Sequence, residues 1–144
     1  MIYVGIDPGL KGGIAIITDD AAMAYPYSDE TLRNIARSLT NESARCCLEQ
    51  VHAMPKQGVS STFKFGVSYG YIKGILEMAG LSYQEIPPQR WKKEFGLNSD
   101  KTASIDVCKR LFPSVSLRAT ERCRTDHDGM AEALLMAEYA RRKL

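Results

Sequence analysis

Four carboxylates stand at positions where a protein can hold them still. Asp7 ends the apolar run Ile2-Tyr3-Val4-Gly5-Ile6 and leads into Pro8-Gly9-Leu10-Lys11-Gly12-Gly13. Glu49 closes Arg45-Cys46-Cys47-Leu48, and Asp128 and Glu132 open an alanine-rich segment further on. Carboxylate oxygens are the hard ligands that Mg²⁺ takes while keeping several of its waters. Three or four of them converging on one point can hold two ions roughly 3.5–4 Å apart, an arrangement that hydrolyses phosphodiesters. Acids at strand tips have the rigid support such a cage requires. Asp7, Glu49, Asp128 and Glu132 are therefore the expected metal ligands, with two Mg²⁺ as the cofactor and Mn²⁺ as a substitute.

The last helix offers more acids than the cage needs. At about 100° per residue, Asp128 and Glu132 differ by roughly 40° and share a face. Asp126 and Glu138 each lie about 120° from Glu132, on other faces. Asp126 or Thr125 is better used as the helix N-cap. Asp126 and His127 remain alternatives for the fourth ligand, and His127 is a candidate proton shuttle.

These acids need elements to position them. Ile2–Ile6 reads as a buried strand, Gly12–Ile17 as its antiparallel hairpin partner and Ala22–Pro26 as a third strand. Leu32, Ile35, Ala36 and Leu39 recur at helical spacing, which predicts a helix over Asp29–Thr40 capped by Ser28 or Asp29. Arg45–Glu49 is a fourth strand, Val51–Ser60 a loop, Ser61–Ala79 a long helix stopped by Gly80, and Leu81–Ile86 a fifth strand. Gln89–Phe95, Asp100–Phe112 and Asp126–Arg142 are further helices. Gly66, Gly70 and Gly74 line one face of the long helix; each weakens it by up to about 1 kcal/mol, and the expected return is close approach to another helix or to a nucleic-acid backbone, with packing inside the protein the leading reading. The order implies an α/β fold: a mixed five-stranded sheet with an antiparallel hairpin edge and helices on both faces.

The chain of 144 residues, 44% of them apolar, has the size and core of one domain, spanning 1–144. It has no apolar run near the roughly 20 residues that span a bilayer and no signal-peptide pattern, so a cytoplasmic protein with no membrane partner is expected. Cys46 and Cys47 sit side by side in a strand and face opposite ways. With no C-x-x-C, and with His52 and His127 outside zinc spacing, the four cysteines read as small reduced hydrophobes. Net charge is only +2, but Lys and Arg outnumber Asp and Glu between Lys92 and Arg124. A basic segment beside acidic metal ligands suits an enzyme acting on a polyanion.

Gly5-Ile6-Asp7-Pro8-Gly9, then Leu48-Glu49, then Asp128-Gly129-Met130-Ala131-Glu132-Ala133-Leu134-Leu135 resembles the RuvC-type Holliday junction resolvases, most of all their compact phage-encoded branch. Gln57-Gly58-Val59-Ser60-Ser61, Phe65-Gly66, Ser68-Tyr69-Gly70 and Pro87-Pro88-Gln89-Arg90-Trp91-Lys92-Lys93 extend the resemblance over nearly the whole chain. It implies a ribonuclease H-like fold, a homodimer, and Mg²⁺-dependent cutting of branched DNA, including the four-way junction, by paired nicks leaving 5′-phosphate and 3′-hydroxyl ends. A branched-DNA binding module without chemistry and a resolvase-like RNA-processing nuclease are the alternatives.

Position by position, the resemblance makes Asp7, Glu49 and Glu132 ligands. Glu132 stands where the family usually has Asp. Many members carry their other helix ligand three residues earlier; here that position is Gly129, and Asp128 lies four earlier. The family's basic residues near the scissile phosphate match Lys92 and Lys101, which complete the expected catalytic set. Lysine suits a phosphate as a point charge, and Lys101 opens a helix whose first amides would also face phosphate. Lys56, Ser60, Ser61, Lys64, Arg90, Lys92, Lys93 and Lys101 are the expected DNA contacts. The loop Met54–Thr62 should overhang the metal site, with Phe63 and Phe65 as candidates to stack on unpaired bases.

Overall fold

Val4 and Ile6 point to one side of the first strand, Tyr3 and Gly5 to the other, and the protein covers both sides. The computed structural model describes the backbone from Met1 to Leu144 and every side chain except that of Lys101. The strands are β1 (Ile2–Asp7), β2 (Gly13–Ile17), β3 (Ala22–Pro26), β4 (Ala44–Glu49) and β5 (Ser82–Ile86). The helices are α1 (Asp29–Leu39), α2 (Val59–Met78), α3 (Pro88–Glu94), α4 (Lys101–Leu111) and α5 (Asp128–Lys143).

The strands form one five-stranded sheet in the order β3-β2-β1-β4-β5. The β1/β2 and β2/β3 pairs are antiparallel, and β1/β4 and β4/β5 are parallel. This is the mixed sheet with a hairpin edge that the sequence predicts. On one face Val4, Ile6, Ile14 and Ile16 meet Leu32, Ile35 and Leu39 of α1 and Ile72 and Leu76 of α2. On the other, Ala15, Ile17 and Cys47 meet α5, with Trp91 of α3 and Cys108 of α4 in the same cluster. Cys46 and Cys47 fall in different clusters, as alternation along a strand requires.

Local capping explains several boundaries. The Ser28 hydroxyl accepts from Thr31 N–H at 3.0 Å and starts α1. Gly80, at φ +71°, ends α2 in the left-handed conformation that glycine adopts without penalty. Two expectations need correction. Helix α2 begins at Val59, not Ser61, so the preceding loop is shorter. Its glycine face is not packed: an added β-carbon at Gly66, Gly70 or Gly74 meets nothing within 4 Å. Val59, Phe63, Val67 and Met78 are also exposed, because α2 anchors through Ile72 and Leu76 instead.

Candidate metal centre and nucleic-acid face

The parallel register sets Gly5 opposite Cys47 and Ile6 opposite Leu48. The next residues on the two strands are Asp7 and Glu49, so both carboxylates emerge side by side at the carboxyl edge of the sheet. That edge is where open α/β sheets bind ligands.

The third acid arrives on α5, and glycines allow it. A β-carbon at Gly5 would lie 2.0 Å from the Ala133 carbonyl oxygen. One at Gly13 would lie 2.5 Å from Gly129 O, and one at Gly129 would lie 2.2 Å from Lys11 O. Backbone therefore rests on backbone where α5 crosses the β1–β2 hairpin. This accounts for the glycine at 129, where the resemblance would put an acid: no side chain fits there. Glu132, about one turn further along, is delivered to the strand tips. One carboxylate oxygen from each of Asp7, Glu49 and Glu132 lies within 4.8 Å of the other two.

Such a cluster is electrostatically costly without a cation. Burial, then the charges of Glu49 and Glu132, hold the Asp7 carboxyl well above its ordinary value; Asp128 adds to the same effect. Burial also raises Glu49, opposed by a hydrogen bond from Trp91 and by the Lys92 charge. Carboxylate-only donors, half-buried and crowded, suit a hard divalent ion. Asp128 opens α5 and acts on Asp7 through its charge, while the oxygens that converge are those of Asp7, Glu49 and Glu132.

Two neighbours on α3 complete the cluster. The Trp91 indole, fully buried, donates from Nε1 to Glu49 Oε2 at 2.9 Å. Lys92 Nζ lies 3.7 Å from Glu132 Oε1 and 5.4 Å from the centre of the Trp91 ring. Lys92 is thus at the acids, where the resemblance implies a phosphate-binding lysine. Trp91 is the residue that sequence reasoning missed; its signal was its position beside Lys92 in the Pro-Pro-Gln-Arg-Trp-Lys stretch.

The α5 cap corrects another expectation. His127 is the N-cap, its Nδ1 accepting from Met130 N–H at 3.1 Å, and α5 begins at Asp128. Asp126 is not the cap: it pairs with Lys109 at 2.6 Å. That cap bond holds Nδ1 of the proposed proton shuttle, and Asp126 is engaged away from the acids. At α4 the Asp100 carboxylate accepts from Thr102 N–H at 3.0 Å, so that amide meets a protein anion. Lys101 opens α4, and its side chain lies outside the described residues.

The remaining expected DNA contacts are on the surface. Lys56, Ser60, Ser61 and Lys64 are exposed on the segment leading into α2 and its first turns, and Arg90 and Lys93 are exposed on α3. Lys92 and Lys93 line a hollow of about 500 Å³ with Gln89 and Asn98. Phe63 is 72% exposed, whereas Phe65 is half-buried.

The mixed five-stranded sheet with helices on both faces is the ribonuclease H-like α/β fold, and three acids meet at one edge of it. Among solved structures the chain resembles RuvC of Thermus thermophilus at 18% identity and a TM-score of 0.59, covering 99% of this chain and 96% of that one. It resembles T. thermophilus RuvC in complex with Holliday junction substrate at 18% identity, a TM-score of 0.61 and the same coverage. The crystal structure of the yeast mitochondrial Holliday junction resolvase Ydc2 also matches, at 11% identity and a TM-score of 0.49 over 93% of this chain and 75% of that one. No protein-family model and no curated protein matches the chain. The likeness to RuvC is one of fold, and it spans nearly the whole molecule.

Proposed function

We propose that this protein is a divalent-metal-dependent, structure-specific endodeoxyribonuclease. It cuts four-way junctions and related branched DNA by paired nicks that leave 5′-phosphate and 3′-hydroxyl ends. The observation that carries the reading is the convergence of Asp7, Glu49 and Glu132 within 4.8 Å on a RuvC-like fold. Asp7, Glu49 and Glu132, assisted by Asp128, would hold two Mg²⁺. Ions held there supply Lewis acidity toward a phosphoryl oxygen and activate water at neutral pH.

The chain's own residues provide the positioning. Trp91 orients Glu49. Lys92, beside Glu132, offers its ammonium to the phosphate that enters, with Lys101 assigned the same task from α4. Arg90, Lys93, Lys64, Lys56, Ser60 and Ser61 track the backbone of the strands. Such contacts read shape and position more than sequence, which fits a substrate defined by geometry. A homodimer presents two sites to two strands, so the symmetry of protein and junction agree. The uncovered strip on α2 supports it: three glycines permit close approach of two helices, and Val59, Phe63, Val67 and Met78 gain from burial.

The test is a synthetic four-way junction set beside a duplex, a flap and an RNA–DNA hybrid, with Mg²⁺ and with Asp7→Asn. We expect symmetric cuts in the junction by the parent protein and none by the variant, which still binds. Equal cutting of plain duplex, or cutting that survives Asp7→Asn, would overturn the reading.

A further inference from the structure

His52 stands just past Glu49 and shares with it the wall of a hollow of about 370 Å³. The same ring lines a smaller hollow, of about 230 Å³, on the side of α2. Gln57 and Gln89 are in the first wall, so His52 is the proton carrier there beside the acid itself. Its side chain is exposed, and among the described residues its ring nitrogens make no hydrogen bond. The chain's other histidine is placed differently: His127 Nδ1 accepts from Met130 N–H at the start of α5. Lys92 is drawn to Glu132, and Asp126 to Lys109.

The backbone that carries this ring is held on both sides. Gln50 N–H donates to Ile86 O at 2.9 Å, which extends the β4–β5 pairing past Glu49. On α2 the Tyr69 hydroxyl donates to Glu85 Oε1, and the Val51 amide acts on the same hydroxyl oxygen. Burial, then the Glu85 carboxylate, holds that hydroxyl well above its ordinary value, so it remains a donor. Lys73 completes the chain by an ion pair with Glu85 at 3.4 Å. Beyond His52, Met54 N–H donates to Gln57 Oε1 at 3.1 Å and Gln57 N–H to Met54 O at 3.1 Å, which closes a turn. Fixed points therefore bracket a ring whose nitrogens are left unengaged. That suits a group that delivers a proton, because imidazole exchanges one near neutral pH. A catalytic donor needs hydrogen-bond reach only when substrate is in place. The ionisable groups that face His52 are Glu49 across the shared hollow and, toward α2, Tyr69 with its partners Glu85 and Lys73.

We propose that His52 is the general acid of the cutting reaction and gives its proton to the 3′ oxygen as that oxygen leaves phosphorus. The inference rests on the nuclease reading and deepens it by naming the residue that makes the 3′-hydroxyl end. A water oxygen bonds to phosphorus, the bond from phosphorus to the 3′ oxygen breaks, and its electron pair stays on that oxygen. The imidazolium N–H of His52 supplies the proton. The attacking water gives its own proton to solvent, and solvent reloads the neutral imidazole before the next turnover. Tyr69 is a positioning residue: through Val51 it holds the segment that presents the ring.

The experiment compares an ordinary junction with one that carries sulfur in place of the 3′ oxygen at the cut site, both cleaved by the full chain with Mn²⁺. A thiolate leaves without needing a proton. On the ordinary junction His52→Ala should lower kcat by about 10²-fold, at the low end of what a general acid contributes, and leave KM as it is. On the sulfur junction the parent and His52→Ala should cut alike, and Tyr69→Phe should repeat the pattern in weaker form. A second readout needs no turnover. The chain has two histidines, so the ring NMR signal of His52 is assigned by its loss in His52→Ala. That signal should shift when the Asp7→Asn protein binds a junction. Ordinary cutting indifferent to His52→Ala, a loss equal on both junctions, or a ring signal unmoved by the junction overturns the inference and leaves the nuclease reading standing. A parent protein that neither binds nor cuts junctions overturns both.

Discussion

Trp91 and Glu49 are 42 residues apart in the chain and joined by a 2.9 Å hydrogen bond from the indole to a carboxylate oxygen. The indole is fully buried, so it fixes one oxygen of Glu49 and turns the carboxylate toward Asp7 and Glu132. Partners that orient ligands in this way typically contribute 10–100-fold in metal affinity. Trp91→Phe keeps an aromatic ring and removes the donor. Its Mn²⁺ affinity, measured by calorimetry, should fall by about that factor, with circular dichroism unchanged. The chain has one tryptophan, so quenching or enhancement of native fluorescence should follow the same titration in the parent protein. Unaltered Mn²⁺ affinity in the variant would show that Glu49 orients itself.

The acid cluster makes stability depend on pH in a defined direction. Burial and the neighbouring charges of Glu49 and Glu132 raise Asp7, and burial raises Glu49. Between the ordinary carboxylate value and these raised ones, the folded chain binds more protons than the unfolded chain. Stability of the metal-free protein therefore falls as pH rises through that window, and the penalty is absent below it. Mg²⁺ at about 100 times its dissociation constant should restore ~2.7 kcal/mol at neutral pH, or roughly 5–10 °C in Tm for a domain of this size. The gain should shrink as pH is lowered into the window, because protons compete for the ligands. Scanning calorimetry with and without Mg²⁺ measures it; a Tm indifferent to Mg²⁺ at neutral pH would count against the metal centre.

Gly129 touches backbone, so even a methyl group there must displace something. Gly129→Ala puts a carbon 2.2 Å from Lys11 O. The hairpin and α5 must part, at a cost of about 1–3 kcal/mol for overpacking. Glu132 would be lifted from Asp7 in the same movement, so Mn²⁺ affinity should drop with stability. Urea denaturation and metal titration check the pair of effects, and parent-like values for both would contradict the close approach.

Gly70 lies mid-way along the open face of α2, where an added β-carbon meets nothing within 4 Å among the described residues. Gly70→Glu adds charge to that strip without disturbing the core. The proposed homodimer predicts a dimeric parent and a monomeric variant in sedimentation equilibrium, with the proposed paired junction cuts uncoupled and Mn²⁺ affinity unchanged. A variant that remains dimeric would place the dimer on another surface.

The strands were legible because alternation and continuous apolar runs act over a few residues, and β1 to β5 fall within one or two residues of the expected bounds. Asp7 and Glu49 were legible for a related reason, since a strand tip followed by a turn is a local pattern. Contacts between distant backbones are not. The hydrogen bond of Trp91 and the seat of Gly129 on Lys11 depend on how layers stack. Glycine spacing on α2 announced a smooth face without saying what covers it. Asp126 and His127 both qualify as caps by residue type; the pairing of Asp126 with Lys109, across from α4, left the cap to His127.

Because α5 carries the third acid and lies downstream of every strand, a chain emerging from the ribosome cannot close the acid cluster early. The sheet can form with Asp7 and Glu49 already adjacent, but the cage stays open until residues 128–132 are released and settle onto the hairpin. The third ligand of the proposed metal centre is thus the last of the three to be made, after both strands that carry the other two.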